Sequence, residues 1–348
     1  MATYSFLDYA FFEGRIVPFG EAKISIATHS LQYGTGAFAG IRGYLSADGS
    51  TINVLRLRDH TTRLLRSAKL LRAELPYDPD SLATVITDLI ERNAPAEDIY
   101  IRPFVYKPDL ALTPRLRGVG DELAVYVLPL GDYISTEGIS AIVSSWVRVS
   151  DNAIPSRGKL TGSYINSAFA KDEALSAGAD EAILLNDAGK VAEGSAANLF
   201  IVRDGALITP PINADVLEGI TRRSVITMAR DAGIPIDQRQ IDRSELYVCD
   251  EIFLCGTGAK ISPVTTIDGR PVGTGSTGPI SARLQGIFNG IVRATDPRYA
   301  DWLTPVRIPV ATPADESGCH RTWLPGQMLE SPGLASPAGS RSLRRASS

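Results

Sequence analysis

One lysine near the middle of the 348-residue chain is the first candidate for chemistry. Lys159 lies in the stretch 156–166, between Gly158 and Gly162 and just before an amphipathic helix. Only seven of the 35 lysine and arginine residues are lysines. An amine that must lose its proton to attack a carbonyl cannot be replaced by arginine, which stays protonated in proteins. We therefore predict that Lys159 is a nucleophile. A lone loop lysine also fits a solvated surface charge, so the rest of the chain has to supply its partners.

Three other segments supply groups that such a lysine would need. The turn 217–219 leads into a helix at Ile220, whose free N–H groups and positive dipole end commonly bind phosphate. Gly256-Thr257-Gly258 follows an apolar strand and adds backbone donors and a hydroxyl. Glu193 lies in a Gly/Ser-rich turn between two strands. A lysine, a phosphate site and a placed carboxylate together indicate pyridoxal 5′-phosphate, which forms a Schiff base with lysine and keeps its pyridine nitrogen protonated beside an acid.

The periodicity of apolar residues divides the chain into four parts. Residues 1–130 combine short strands, two helices and two more strands, which predicts a small N-terminal α/β domain. Residues 131–138 are turn-rich and predict a linker. Residues 139–306 repeat strands and helices and predict a larger cofactor-binding domain. Residues 307–348 have no periodic apolar face and predict a disordered tail.

Composition limits the class of protein. Hydrophobic residues make up 44% of the chain and charged residues 21%, as in an ordinary globular protein. The net charge of −4 argues against a general surface for nucleic acid or anionic membrane. No apolar run approaches the ~20 residues of a membrane span, and we expect a cytoplasmic protein. Three cysteines and three histidines are too few and too dispersed for a disulfide framework or a metal site.

The order of the motifs resembles the class IV aminotransferases, most closely the branched-chain amino acid aminotransferases. The resemblance covers about residues 5–306 and rests on several motifs in one order. They are Arg58 in Arg-Leu-Arg-Asp-His, Tyr100-Ile-Arg-Pro, Lys159 with Tyr164 five residues later, Glu193-Gly-Ser-Ala-Ala-Asn-Leu-Phe, Leu217-Glu-Gly-Ile-Thr-Arg and Gly256-Thr-Gly-Ala.

This resemblance implies a fold type IV α/β (α+β) enzyme with pyridoxal 5′-phosphate between its two domains, the larger one a pseudo-barrel. It implies at least a homodimer that moves the amino group of leucine, isoleucine or valine to 2-oxoglutarate by ping-pong kinetics. Lys159 would be the catalytic Schiff-base lysine. The other implied cofactor residues are Arg58, Tyr164, Glu193, Leu217, Gly219, Ile220, Thr221, Gly256 and Thr257. The implied substrate residues are Phe38, Gly40, Tyr100, Arg102, Gly258, Ala259 and, from the neighbouring subunit, Tyr33.

Three departures from the family pattern concern the substrate side. Ala39 and Ala197 stand where the family usually has acids, and the loop 107–114 lacks the family's glycines. A D-amino acid or (R)-amine donor therefore stays open as an alternative within the fold. A relative that eliminates pyruvate from an aminodeoxychorismate-like substrate is a further alternative, and a dimeric scaffold without turnover is one from another class.

Overall fold

The computed structural model describes residues 5–131, 135 and 137–309. The predicted tail 307–348 lies outside the described residues from position 310 onward, as does part of the predicted linker, at 132–134 and 136. None of the described helices is both long and apolar enough to cross a membrane. Within the described residues, helices and strands alternate in two sheets, so the predicted α/β class is confirmed.

The first sheet contains eight strands, all paired antiparallel, and seven of them come from the N-terminal part of the chain. Strands and helices are numbered in chain order. The seven strands are β1 (Tyr9–Phe12), β2 (Arg15–Pro18), β3 (Gly36–Phe38), β4 (Ile41–Leu45), β5 (Thr51–Leu55), β6 (Ile99–Tyr106) and β7 (Glu122–Pro129). Alternate residues of β6 are buried, as expected for a strand with one face on a core.

Three helices belong to this part: α1 (His29–Tyr33), α2 (Leu57–Leu70) and α3 (Pro79–Asn93). Helix α3 begins where its sequence dictates, because the Asp78 side chain accepts the N–H groups of Asp80 (3.0 Å) and Ser81 (2.7 Å) and Pro79 occupies the first helical position. Helices α2 and α3 pack against the sheet. Their shared core includes Leu64, Leu82, Ile86, Ile99 and Ile101.

The second sheet contains nine strands and is mixed: β8 runs parallel to two neighbours, whereas most other pairs are antiparallel. Its strands are β8 (Ile139–Val147), β9 (Glu181–Leu185), β10 (Val191–Gly194), β11 (Asn198–Arg203), β12 (Ala206–Thr209), β13 (Ile236–Gln238), β14 (Glu251–Gly256), β15 (Lys260–Ile267) and β16 (Arg270–Pro271). The central strands β11 and β14 are buried along nearly their whole length. Their sequences are therefore mostly continuous apolar runs and do not alternate with polar residues.

Helices α4 (Tyr164–Ser176), α5 (Ile220–Asp231) and α6 (Pro279–Val292) cover the second sheet. Helices α5 and α6 share a core with β11 and β14 that includes Phe200, Phe253, Val225 and Leu284. The last strand, β17 (Leu303–Arg307), returns to the first sheet and pairs antiparallel with β5. The C-terminal end of the described chain therefore completes the N-terminal sheet.

Candidate active site

A cavity of about 600 Å³ is lined by residues of both sheets. It brings together all but two of the cofactor and substrate residues implied by the sequence. Those that line it are Lys159, Tyr164, Glu193, Leu217, Gly219, Ile220, Thr221, Gly256, Thr257, Phe38, Gly40, Tyr100, Arg102, Gly258 and Ala259. The two that do not are Arg58 and Tyr33.

The loop that carries Lys159 is fixed by hydrogen bonds to the N-terminal part. The Lys159 N–H donates to Ser67 Oγ (3.1 Å) on α2, and its carbonyl accepts the Phe38 N–H (3.0 Å). Two residues later, Thr161 Oγ1 donates to the Gly34 carbonyl (2.7 Å). The backbone on both sides of the lysine is thus held, and the side chain projects into the cavity from a rigid base.

The Lys159 amine is surrounded by aromatic rings and positive charge. Its Nζ donates to the Tyr164 hydroxyl and lies 5.0 Å from the ring centroids of both Phe38 and Tyr164. Loss of solvation lowers the pKa of Lys159 to about 7, and the nearby Arg63 guanidinium contributes to the shift. The same desolvation, together with Glu193, raises the pKa of Tyr164 to about 12. At neutral pH, therefore, the neutral form of the amine is well populated beside a protonated phenol.

Glu193 is 6% exposed and accepts three hydrogen bonds. Its Oε1 accepts Arg148 Nε (2.9 Å), and its Oε2 accepts Asn198 Nδ2 (2.9 Å) and the Leu217 N–H (3.1 Å). Burial raises the pKa of this carboxyl, while Arg148 and the Leu217 N–H act in the opposite direction. The network holds the carboxylate in one orientation at the cavity wall.

Two backbone segments offer N–H groups to an anion. Helix α5 begins at Ile220, and no side chain caps its first turn. The preceding residue must be glycine, because a Cβ on Gly219 would lie 1.9 Å from Asn198 Oδ1. The second segment is the turn between β14 and β15, which carries Thr257 and Gly258. A helix N-terminus beside a Gly-Thr-Gly turn is a suitable phosphate site.

The structure corrects the assignment of Arg58. Its side chain is 72% exposed and pairs with Asp80 (Nε to Oδ1, 2.6 Å) away from the cavity. Arg63, five residues further along α2, lines the cavity instead, and its Nη1 donates to the Glu218 carbonyl (3.4 Å) beside the N-terminus of α5. Five residues turn a helix by about 140° beyond a full circle, so the two arginines point in different directions. Arg63 therefore places its guanidinium in the cavity wall beside the start of α5.

The opposite wall consists of Phe38, Gly40, Tyr100 and Arg102 from the first sheet. Arg102 Nη2 donates to Tyr100 Oη (2.8 Å), and its Cζ lies 4.6 Å from the Phe38 ring centroid. A side chain at position 40 would collide with this arrangement, since a Cβ there would lie 2.0 Å from Tyr100 Oη. Arg102 Nε is buried and has no hydrogen-bond partner within the described residues. This wall offers positive charge and an apolar ring to one ligand.

The three departures from the family pattern do not all lie in the cavity. Ala39 is fully buried in the apolar core under the first sheet and does not line the cavity, so its expected place on the substrate side is wrong. Ala197 does line the cavity. The loop after β6 is attached to α1, because the Asp109 carbonyl accepts the His29 N–H (2.8 Å) and the Leu112 carbonyl accepts the Tyr33 hydroxyl. Tyr33 thus lies beside this loop and outside the cavity of its own chain.

Sequence reasoning missed several lining residues, among them Arg63, Arg148 and Tyr126. Arg63 lies four residues before Ser67, which holds the Lys159 backbone, but the contact between Ser67 and Lys159 is visible only in the structure. Arg148 follows a predicted strand directly, but nothing in its sequence neighbourhood indicates Glu193 as its partner. Tyr126 alternates with buried residues of β7, and this pattern alone fits a solvent-facing position equally well.

Comparisons with known proteins agree with this geometry. Residues 37–267 match the family model of amino-transferase class IV. A probable branched-chain-amino-acid aminotransferase of Aquifex aeolicus is 48% identical over 302 residues, which are 86% of this chain and 97% of that protein. A branched-chain aminotransferase of Thermoproteus uzoniensis with norvaline superposes with a TM-score of 0.83 at 43% identity, over 86% of this chain and 99% of that one. The branched-chain amino acid aminotransferase of Thermobaculum terrenum in its PLP-containing holo-form also gives a TM-score of 0.83, at 36% identity, over 86% of this chain and 99% of that one.

Proposed function

Because this chain belongs to the class IV aminotransferases, we propose that it moves the amino group of a branched-chain L-amino acid to 2-oxoglutarate, with pyridoxal 5′-phosphate as its cofactor. The donors are leucine, isoleucine and valine. The observation that carries the proposal is the meeting, in one cavity, of the Lys159 amine, the Tyr164 hydroxyl, the Glu193 carboxylate and the N-terminus of α5.

The residues present fit the cofactor. When bound, pyridoxal phosphate supplies a carbonyl that forms Schiff bases with amines and a ring that withdraws electrons from the substrate's α-carbon. Lys159 would hold it covalently, Glu193 would accept a hydrogen bond from the ring nitrogen, and Tyr164 would donate to the phenolic oxygen. The buried carboxylate of Glu193 keeps Oε1 and Oε2 oriented through three donors, as a partner for a protonated ring nitrogen requires.

The phosphate would lie against Arg63 and the N–H groups of Ile220, Thr221 and Thr257. The start of α5 presents its donors without side-chain competition, because Gly219 leaves the helix uncapped. Leu217, Gly219 and Gly256 belong to the same walls as backbone elements. Arg63 takes the place that the sequence assigned to Arg58.

Lys159 also moves the proton of the reaction. With its pKa lowered to about 7, the free Nζ has a well-populated neutral form that can accept a proton near neutral pH. Its free Nζ would accept the substrate's α-proton and hold it until that proton is returned. Because the donor leaves as a 2-oxo acid before the acceptor enters, we expect ping-pong kinetics.

The substrate carboxylate would bind to Arg102, Tyr100 and the backbone N–H groups of Gly258 and Ala259. The aliphatic side chain would lie against Phe38 and over Gly40, where Tyr100 leaves no room for a larger residue. Arg102 Nε is buried without a hydrogen-bond partner among the described residues. This free donor could bind the α-carboxylate that all the amino acid and 2-oxo acid substrates share, or the second carboxylate of 2-oxoglutarate.

The proposal includes a homodimer in the cytoplasm, with no nucleic-acid or membrane partner. Tyr33, which lies outside the cavity of its own chain, would line the cavity of the partner. Leu110 and Leu112 beside it are 65% and 79% exposed, and such exposure suits an interface. Cys249 and Cys255 are buried free thiols, as is usual in a reducing compartment. Residues 1–130 and 139–306 would be the two domains, joined by the linker 131–138.

The experiment is a donor panel on the purified enzyme with pyridoxal phosphate. L-leucine, L-isoleucine, L-valine, D-alanine and (R)-1-phenylethylamine are each tested with 2-oxoglutarate and with pyruvate. We expect turnover with the three branched-chain L-amino acids and 2-oxoglutarate. Turnover with D-alanine or the (R)-amine alone would contradict the proposed specificity.

A pair of lysine variants tests the catalytic assignment. Lys159→Ala is expected to lose transamination and the borohydride-reducible adduct, whereas Lys23→Ala, at an exposed position, should keep both. A Lys159→Ala enzyme that still transaminates at an appreciable rate would refute the assignment of Lys159 as the catalytic lysine.

A further inference from the structure

Arg148 is a buried cation in the cavity wall, and the proposed function uses it only as one of the three donors to Glu193. It directly follows β8, and its N–H donates to the Leu185 carbonyl (2.8 Å), which fixes its backbone. The residue is 7% exposed and lines the cavity. Its Nε donates to Glu193 Oε1 (2.9 Å), while its Nη1 is buried and has no hydrogen-bond partner within the described residues.

Glu193 needs a counter-charge to stay ionised. The carboxylate is buried, and burial by itself favours the neutral acid. The two donors on Oε2 are an amide and a backbone N–H, both neutral. Among the described residues, Arg148 is the one cation that hydrogen-bonds Glu193 directly. The other titratable groups that act on Glu193, or on which it acts, are Lys159, Tyr164, Arg63, Arg222 and Cys255.

We propose that Arg148 is a positioning residue that keeps Glu193 ionised and aimed at the ring nitrogen of the cofactor, so that this nitrogen stays protonated. The inference rests on the proposed cofactor. A neutral Glu193 could donate its proton to the ring nitrogen's lone pair as a hydrogen bond, but it could not balance a positive charge there. Arg148 thereby sets how strongly the ring withdraws electrons from the substrate, without touching the substrate.

A purely structural ion pair is the competing explanation, and ring-nitrogen protonation separates the two. The holoenzyme is prepared with pyridoxal phosphate labelled with nitrogen-15 in the ring, and its chemical shift is measured without any amino acid. We expect the protonated-nitrogen shift in the wild type and in Arg148→Lys. Arg148→Met should move the shift toward the unprotonated value. An Arg148→Met shift equal to that of the wild type would overturn the proposal.

A double-mutant cycle gives a second, independent readout. Arg148→Met should slow the half-reaction with L-leucine by about tenfold or more, but should have little further effect in a Glu193→Gln background, because residues that act as a unit are not additive. Equal losses in both backgrounds would contradict the proposal. Should Arg148→Met fail to fold, Arg148→Gln carries the same tests, since it keeps a hydrogen-bond donor and removes the charge.

A negative result for Arg148 can be told apart from a failure of the proposed function. A wild-type protein that forms no reducible adduct with pyridoxal phosphate would refute the proposed cofactor itself. A wild-type adduct with normal activity, together with an unchanged nitrogen shift in Arg148→Met, would refute only the role of Arg148.

Discussion

At the scale of single residues, the amine of Lys159 is adjusted by the groups around it. The protein excludes water from its flanks, and Arg63 places a second positive charge nearby. Both effects disfavour the ammonium form. Arg63 itself is affected, because desolvation lowers its pKa to about 10. The same guanidinium can thus serve two purposes: it attracts the phosphate, and it keeps the neighbouring lysine available as a neutral amine.

This coupling predicts a pH dependence for cofactor capture by the apoenzyme. The neutral amine, which is the nucleophile, predominates above the pKa of about 7, so the rate of Schiff-base formation should rise with pH through a midpoint near 7. Stopped-flow absorbance after mixing with pyridoxal phosphate measures the rate. In Arg63→Met, the midpoint should move to higher pH because a neighbouring positive charge is removed. A wild-type midpoint near 10.5, the ordinary lysine value, would contradict the assignment.

The two arginines of α2 form a matched pair for testing the phosphate site. Arg63→Met should weaken the binding of pyridoxal phosphate by at least about tenfold, since hydrogen bonds to charged groups contribute about 1.5–3 kcal/mol. Arg58→Met should bind it as the wild type does, because its exposed side chain pairs with Asp80 instead. Equilibrium dialysis of the apoenzymes measures both constants. Equal losses in the two variants would contradict the assignment to Arg63 alone, and a loss confined to Arg58→Met would return the role to Arg58.

The case of these two arginines shows what sequence can establish about the site. Lys159, Glu193, Thr221 and Thr257 could be found because each lies in a short segment with its own chemical signature, such as a Gly-flanked lysine or a helix start after glycine. Arg58 and Arg63 lie on one helix with no such signature. Which of them faces the cavity depends on how α2 is rotated against the first sheet, and that rotation is set by packing of the residues around Leu64 and Ala68.

At the scale of elements, a buried ion pair joins the two ends of the loop between β6 and β7. Lys107 Nζ donates to Asp121 Oδ1 (2.6 Å), and their side chains are 1% and 10% exposed. The Lys107 N–H also donates to Ser30 Oγ (2.6 Å), which belongs to α1. The sequence showed only that residues 107–114 of this loop lack glycines. The pairing with Asp121 could not be predicted, because it joins two segments across the turn that follows β6.

Breaking this pair should destabilise the fold. Asp121→Ala leaves the buried Lys107 ammonium without its partner and is expected to lower the free energy of unfolding by about 3 kcal/mol. Urea denaturation of the apoenzyme measures it. The double variant Lys107→Met/Asp121→Ala should recover part of the loss, since no buried charge remains unpaired. A double variant less stable than Asp121→Ala would show that the pair is not the cause.

At the scale of the whole molecule, the two sheets are connected twice. The chain leaves the first sheet after β7, and it comes back to it with β17, whose residues pair with β5 from Leu303↔Leu55 to Arg307↔Thr51. Val306 is 2% exposed and belongs to the core under helices α2 and α3. The alternation of strands and helices predicted two domains, but no local pattern shows that a C-terminal strand belongs to the N-terminal sheet.

Truncation tests this connection. A chain ended at residue 302 should be less stable than one ended at residue 309 by about 3 kcal/mol or more, because it loses the buried side chains of Val306 and Ile308 and the pairing with β5. Both chains lack residues 310–348, so the comparison concerns β17 alone. Urea denaturation measures the difference, and coinciding transitions would contradict the expectation.

The return of β17 also has a consequence for synthesis on the ribosome. Strand β5 emerges early, whereas β17, which pairs with one of its edges, emerges only after α6 and the whole of the second sheet. Throughout that interval the edge of β5 has open N–H and C=O groups, which can pair with another chain. The first sheet therefore becomes complete only after the rest of the described chain has been synthesised, and the N-terminal part cannot finish folding on its own before then.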